Sequence, residues 1–197
     1  MLITDPNAPI PVELRNKEFL LRPLTADDAA LDYAAVMETR ESLRLWEQDS
    51  WPADDFTVEE NRQDLIDHER YHHERRAYTY TMLDPAETEC LGCVYVYPPG
   101  AAFLAKSTVS AVGPGKWADL QAVIYFWVRE SRLGSGLDER LLGALRQWFS
   151  EQWQLSDTVY VVSEPYAHQL RLINQSGLKL RFTVREPAKS APYLAFG

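Results

Sequence analysis

Three short stretches of this sequence carry residue types and spacings that could do chemistry. His68-Glu69-Arg70-Tyr71-His72 sets two imidazoles one helical turn apart with a carboxylate between them, the pattern by which H-E-x-x-H helices hold zinc and activate water. Its neighbours Asp67, His73, Glu74, Arg75 and Arg76 are charged, so the stretch reads as a solvated helix face, and no metal ligand is assigned. A zinc peptidase is the third reading in rank. Cys90-Leu-Gly-Cys93 matches C-x-x-C, a redox pair when it starts a helix. Here it falls in a strand pattern, where residues three apart face opposite ways, and it reads as structural.

The third stretch is Arg132-Leu-Gly-Ser-Gly-Leu137, which joins an apolar run to a helix. Unpaired amides and the helix dipole both point at such a turn, and Arg132 adds positive charge, so the turn is a physical site for phosphate. Gly134 and Gly136 would serve equally well as plain turn residues.

The elements that must position these groups follow from periodicity. An extended arm over 1–17 leads to a strand at Phe19–Arg22. Thr25 then caps a helix from Ala26 to near Arg40, with Ala30, Leu31, Ala34 and Met37 as its apolar face and a second helical stretch after it. Thr57 and Glu60 form a capping box for a helix running to about Arg76. From Ala77 the period becomes two, giving an antiparallel hairpin of Tyr78–Met82 and Leu91–Tyr97 about an Asp84-Pro85 turn. Pro98–Gly115 reads as a long loop with room for one short strand, the kind that borders binding sites.

Ala122–Val128 is continuously apolar, as in a central strand buried on both faces. After the glycine turn, Leu137, Leu141, Leu145, Trp148 and Phe149 make the inner face of a helix, and Trp148, Phe149 and Trp153 read as the core and rim of that helix. A strand at Thr158–Val162, a helix at Pro165–Ser176 ended by Gly177, and strands at Leu178–Val184 and Tyr193–Phe196 complete the chain. The order predicts an α/β (α+β) fold, a mixed and mostly antiparallel central sheet flanked by helices, as one domain over 1–197.

Composition bounds the function. The 197 residues hold 29 acidic and 20 basic side chains, a net charge of −9, with 46% hydrophobic residues. A chain so acidic is a poor match for nucleic acid or an anionic membrane, and its excess favours cationic amines or basic peptide termini as substrates. The purest apolar run is seven residues, whereas a spanning helix needs about 20. With two cysteines and no signal-peptide pattern at the N-terminus, the expected location is cytoplasmic.

Over most of its length the sequence resembles the GNAT superfamily of acyl-CoA-dependent N-acetyltransferases, in particular the branch acting on N-terminal amines of ribosomal proteins. Phe19-Leu-Leu-Arg-Pro-Leu-Thr-Ala-Asp-Asp28 is similar to that branch's opening strand and helix, and Leu91-Gly-Cys-Val-Tyr-Val96 to its third strand. Ala122–Val128 is similar to its fourth strand, Arg132–Leu137 to its pyrophosphate loop, and Ser163 through Leu178 to the end of its fifth strand and the following helix. The resemblance implies acetyl-CoA as co-substrate, with no metal, held in the split between the fourth and fifth strands. Arg129, Arg132 and the amides of Leu133, Gly134, Ser135, Gly136 and Leu137 would hold the pyrophosphate, and the backbone of Val128 and Arg129 would pair with the pantetheine arm. The amine would enter from the side of the first two helices and the 98–115 loop.

Departures from the family pattern fall at its working positions. Its loop reads Arg or Gln, two residues, Gly, one residue, then Gly or Ala. Anchored on Arg132, the last positions hold Ser135 and Leu137; anchored on Gly134 and Gly136, the basic position is Ser131. The family's strand Glu is Val123, the Tyr of its last helix is Ile173, and the Asn at that helix's start is Tyr166. The remaining catalytic candidates are Ser163, Tyr125 and Glu164, with Asp119 or Gln121 behind them. Val123 also motivates a rival reading, a catalytically degenerate acyl-CoA-binding module. The aromatic Tyr193–Phe196 strand, read as exposed, makes a homodimer the expected assembly if any.

Overall fold

The computed structural model describes Ile3 and residues 9–197. The first part of the expected N-terminal arm, apart from Ile3, lies outside them. Strands β1 (Leu14–Arg15), β2 (Leu20–Pro23), β3 (Tyr78–Leu83), β4 (Cys90–Tyr97), β5 (Thr108–Ala111), β6 (Ala122–Val128), β7 (Thr158–Ser163), β8 (Leu180–Arg185) and β9 (Tyr193–Phe196) form one sheet among the described residues. Its order is β1-β2-β3-β4-β6-β7-β9-β8-β5. The helices are α1 (Ala29–Glu47), α2 (Val58–His73), α3 (Glu130–Leu133), α4 (Leu137–Glu151) and α5 (Ala167–Gln175). No helix of the described residues is long and apolar enough to cross a membrane.

Strand β6 is apolar throughout because both its faces are covered. Ile124, Phe126 and Val128 pack with Leu141, Leu145 and Phe149 of α4. Val123, Tyr125 and Trp127 pack with Val36, Leu43 and Trp46 of α1. Trp148, Phe149 and Trp153 lie in the core as expected, Trp148 edge-on to Tyr80 at 5.1 Å.

Every pairing in the sheet is antiparallel except β6 with β7. That parallel pairing stops after Ile124 opposite Tyr160, while β7 goes on to pair with β9 through Ser163. Beyond Ile124 the two strands diverge, and the second half of β6 has one edge without a strand.

Four expectations are corrected. Helix α1 is continuous from Ala29 to Glu47 after a 3₁₀ turn at Ala26–Asp28, since no Gly or Pro interrupts it, and it ends where Gln48 turns left-handed at φ 55°. Its buried face is Ala29, Asp32, Ala35, Val36, Thr39, Leu43 and Trp46, not the Ala30, Leu31, Ala34, Met37 stripe. Two polar residues on the inner face had hidden it. The C-terminal strand β9 lies inside the sheet between β7 and β8, so it offers no free edge for a second copy.

The fourth correction concerns the cysteines. Met82 faces Gly92 and Leu83 faces Cys90, so Leu91 is an extra residue on β4, a bulge. The bulge resets the alternation, and Cys90 and Cys93 face the same, α1, side of the sheet. Both are free and buried, and burial pushes both thiols up. The bulge needs its glycine: Gly92 has φ +152°, and a Cβ there would lie 2.2 Å from the Trp127 carbonyl oxygen. Gly92→Ala should therefore destabilise the fold by about 3 kcal/mol, read as a fall in the urea midpoint. A loss well under about 1 kcal/mol would mean the bulge can relax.

Two short elements were not expected, β1 within the N-terminal arm and α3 at the start of the glycine turn; the other elements match to within a few residues at their ends. The Thr57 capping box forms, with Glu60 N–H donating to Thr57 Oγ1 at 3.2 Å and Thr57 N–H to Glu60 Oε2 at 2.8 Å. The hairpin turn is held by Asp84, whose Oδ1 accepts from the amides of Thr88 and Glu89, each at 2.6 Å. Within the 98–115 loop, β5 pairs with β8.

Candidate active site

The strand-to-helix turn after β6 gathers charge of both signs. The Arg129 guanidinium donates to Glu38 Oε2 at 2.7 Å and lies 3.2 Å from Glu89, and Arg132 also pairs with Glu89. The two arginines expected at a phosphate site are thus neighbours, joined by one carboxylate. Arg129 beside Glu38 holds that carboxyl down at about 2.

The loop amides are partly spent. Ser135 N–H donates to Arg132 O at 3.1 Å and Gly136 N–H to Leu133 O at 3.0 Å, while Leu137 and Asp138, first in α4, have no backbone partner for their amides among the described residues. Gly136 caps α4 at φ +72°, a conformation that favours glycine; Gly134 has an ordinary helical backbone and open space beside it. Glycine is therefore structurally required only at 136. Counting the family pattern from there puts Leu133 at the basic position and Asp138 at the small one, a register the sequence reading did not consider. Asp138 is buried at the start of α4 and shares a 2.7 Å hydrogen bond with His168 Nε2.

The diverging strands supply the next part. Arg129 N–H donates to Leu91 O at 2.8 Å, so Arg129 faces β4. Antiparallel alternation then turns the backbone groups of Val128 and Phe126 toward the split. Of the two residues expected to offer backbone to a pantetheine arm, Val128 turns its groups toward the split and Arg129 turns its amide toward β4. Gln169 of α5, 3% exposed, reaches across and donates Nε2 to Phe126 O at 2.7 Å, while its Oε1 is buried with no partner. The slot left beside it, between Phe126, Val128, Asp138 and His168, measures only about 10 Å³.

On the α1 side of the same strands lies a cavity of about 230 Å³, bounded by Tyr125, Tyr97, Phe103, Tyr193, Glu47 and Glu186. Tyr125 is 6% exposed, and its hydroxyl has no hydrogen-bond partner among the described residues. Burial drives that phenol well up, so it stays protonated and can only donate or accept hydrogen bonds. Lys189 donates to Asp49 Oδ2 at 2.7 Å and lies 3.4 Å from Glu47 Oε2. The Glu186 carboxylate makes no ion pair or hydrogen bond among the described residues; burial first and then Glu47 push its pKa up.

Trp46, Glu47 and Tyr97 also border a second cavity of about 500 Å³ between α1, α2 and the sheet. Asp32, Asp64, Asp67 and His68 line it. Asp32 is buried, accepts from Asn61 Nδ2 at 3.0 Å, and is pushed up to about 6 by burial.

The other sequence candidates fall elsewhere. Ser163 is buried and donates to Leu45 O at 2.5 Å, fastening β7 to the end of α1. Glu164 and Asp119 are exposed and border neither cavity. Gln121 Oε1 accepts from the amides of Ser156 and Asp157 at the foot of β7, away from the split. Val123 and Ile173 are fully buried, and Tyr166 sits at the N-terminus of α5.

In the H-E-x-x-H stretch, His68 Nδ1 shares a hydrogen bond with Thr79 Oγ1 at 2.9 Å, His72 packs edge-on to Tyr78 at 5.1 Å, and Glu69 accepts from Ala26 N–H at 3.0 Å. The two histidines anchor α2 to β3 and Glu69 ties it to the turn before α1, so this is not the plain solvated face expected; burial lowers both His68 and His72. The described residues contain no group of three or more His, Cys, Asp or Glu that could hold a metal ion.

Sequence reasoning missed Glu47, Glu186, Asp32, Asp138 and Gln169. For Asp32 alone a signal existed, an acid in phase with Ala29, Ala35, Val36 and Leu43 on one helical face.

No protein-family model matches the chain, and no curated protein matches it significantly. Solved structures do match. The ribosomal-protein-S5-alanine acetyltransferase of Vibrio fischeri superposes with a TM-score of 0.68 at 14% identity, covering 94% of this chain and 95% of that one. RimL, a ribosomal alpha-N-protein acetyltransferase solved with coenzyme A, gives 0.66 at 16% identity over 95% of both chains. The self-immunity acetyltransferase MccE, solved with acetyl-CoA and AMP, gives 0.66 at 13% over 92% of both. At such identities the likeness is one of fold, and the fold is that of the GNAT acetyltransferases.

Proposed function

We propose that this GNAT-fold chain is an N-acetyltransferase that moves an acetyl group from acetyl-CoA to a primary amine, of a small molecule or a peptide N-terminus. The observation that carries the reading is the position of Tyr125. It begins the stretch of β6 where β7 departs, and its unpartnered hydroxyl borders a cavity that also holds the unpaired carboxylate of Glu186.

The residues fit the co-substrate. Arg129 and Arg132 supply charge for a pyrophosphate, with the turn from Leu133 through Gly134, Ser135 and Gly136 to Leu137 beside them. The edge of β6 at Phe126 and Val128, with the orphaned Gln169 Oε1, supplies acceptors and donors for the amides of a pantetheine arm. When bound, acetyl-CoA supplies a thioester carbonyl open to attack.

Glu186 takes a proton from the acceptor ammonium, so that the free amine can attack. The new C–N bond forms as the C–S bond breaks; the nitrogen gives up a second proton, and one proton goes to the thiolate, leaving an amide and the CoA thiol. Tyr125 donates a hydrogen bond to the oxygen or sulfur that gains charge. Ser163 and Glu164 have no part in this scheme.

Calorimetric titration with acetyl-CoA tests the cofactor half. Arg132→Ala should weaken binding by about 1 to 3 kcal/mol, the range for charged hydrogen bonds. Glu89→Gln should tighten it several-fold, since the Glu89 carboxylate is paired with both arginines. No binding by the unaltered protein would remove the proposal.

The buried Val123, where the family has its strand Glu, favours a second reading, an acyl-CoA sensor without turnover. An enzyme releases CoA thiol with some member of a broad amine panel; a sensor binds acetyl-CoA and releases none.

A further inference from the structure

The two cavities share the wall residues Trp46, Glu47 and Tyr97 and lie side by side along α1, a groove in two parts. Its wall charge is one-sided: Asp32, Glu47, Asp49, Asp64, Asp67 and Glu186 against Lys189, which is already engaged by Asp49 and Glu47. The one histidine of the walls, His68, is lowered by burial, which favours its neutral form. Between the carboxylates the walls are aromatic, chiefly Trp46, Trp51, Tyr71 and Tyr95. An independent mark of a missing ligand is the Tyr125 hydroxyl at one end, over nine-tenths buried and without a partner.

We infer that this groove holds a small aliphatic polycation, a primary amine with further ammonium groups along a methylene chain, as the acyl acceptor; the role as acceptor rests on the acetyltransferase reading. Fifteen residues of α1 separate Asp32 from Glu47, about 22 Å of helical rise. Carboxylates spread so far along a groove match a string of charges and cannot converge on one metal ion. Aromatic walls suit both the methylenes and the ammonium groups, through apolar contact and cation–π attraction. The total space falls in the range of small-molecule pockets. A peptide would need a strand edge or similar backbone partners, and β3 and β4 beneath the groove are paired on both sides.

One end of the chain therefore lies at Tyr125 and Glu186, where its ammonium loses a proton and the amine attacks. A second ammonium lies toward Asp32 and Asp64 and stays charged.

The test is calorimetric titration of spermine, n-hexylamine and a trilysine amide into the full chain, with and without saturating CoA. Spermine should bind stoichiometrically and at least tenfold more tightly than either comparator, and added salt should weaken it. Asp64→Asn, at an exposed position, should weaken spermine about tenfold and leave hexylamine unchanged. Equal affinity for spermine and hexylamine, tighter binding of the peptide, indifference to Asp64→Asn, or no spermine binding in either condition would each overturn the inference. Spermine binding by a protein that fails to bind acetyl-CoA would keep the polycation groove and remove the acetyltransferase reading, so the two fail separately.

Discussion

Glu186→Gln is expected to lower kcat by about two to four orders of magnitude, the range for removing a positioned general base. The argument is one of placement. No carboxylate comes from β6 itself, where Val123 is buried in the core. Of the two glutamates that border the cavity at Tyr125, Glu47 lies against Lys189, and Glu186 faces the cavity with its carboxylate unpaired. Burial and then the charge of Glu47 raise the pKa of Glu186 above its ordinary value, which makes its carboxylate a stronger base. As pH falls through that raised value, Glu186 takes up a proton and kcat falls with it. The glutamine variant should lose this acid limb, keep or raise its melting temperature, and bind acetyl-CoA as before. A variant with unchanged kcat and an unchanged acid limb would assign the base to another group.

The second large effect concerns stability. Asp32→Asn should stabilise the protein at pH 8 by about 2 to 3 kcal/mol and leave it almost unchanged near pH 3. Asp32 is 4% exposed, and its carboxyl rises from 3.8 to about 6 because burial penalises the charged form. Below the unfolded value it is protonated in both states and nothing is lost. Above the folded value the native protein must carry a buried charge that the unfolded chain carries in water. Asparagine keeps an acceptor for Asn61 without that charge. Urea midpoints at the two pH values measure the difference directly. A less stable Asp32→Asn protein at pH 8 would mean the carboxylate holds the fold together; the opposite sign marks a residue kept at a structural cost, as binding residues often are.

Much of the architecture was legible because local patterns and global packing agree. The apolar run of β6 has both faces covered, and the Thr57 and Glu60 capping box forms as spaced. Errors arose where a tertiary demand overrides a local pattern. The inner face of α1 carries Asp32 and Thr39, so hydropathy selected the wrong stripe. The bulge at Leu91 reverses the facing of Cys90, and its only sequence signal is a glycine in a strand. His68 and His72 sit among charged neighbours yet turn inward against β3.

The proposed site was half legible for the same reason. Its strand, turn and arginines are consecutive in the chain, and so was the nomination of Tyr125. Glu47 and Glu186 belong to segments that meet only when β9 inserts between β7 and β8 and Tyr193 donates to the Glu47 carbonyl at 2.8 Å. No spacing rule joins residues so far apart.

The contact between Gln169 and Phe126 bears on the safety of the fold as well as on its chemistry. A strand that leaves its neighbour halfway along exposes a row of backbone donors and acceptors, a template on which a foreign segment can add itself as a new strand. By placing one side-chain amide on that row, α5 interrupts the template for a peptide strand with its side chains, while the Val128 groups stay open to the slimmer pantetheine arm of the proposed reading. The protein can thus keep an interrupted sheet at its centre without inviting aggregation through it.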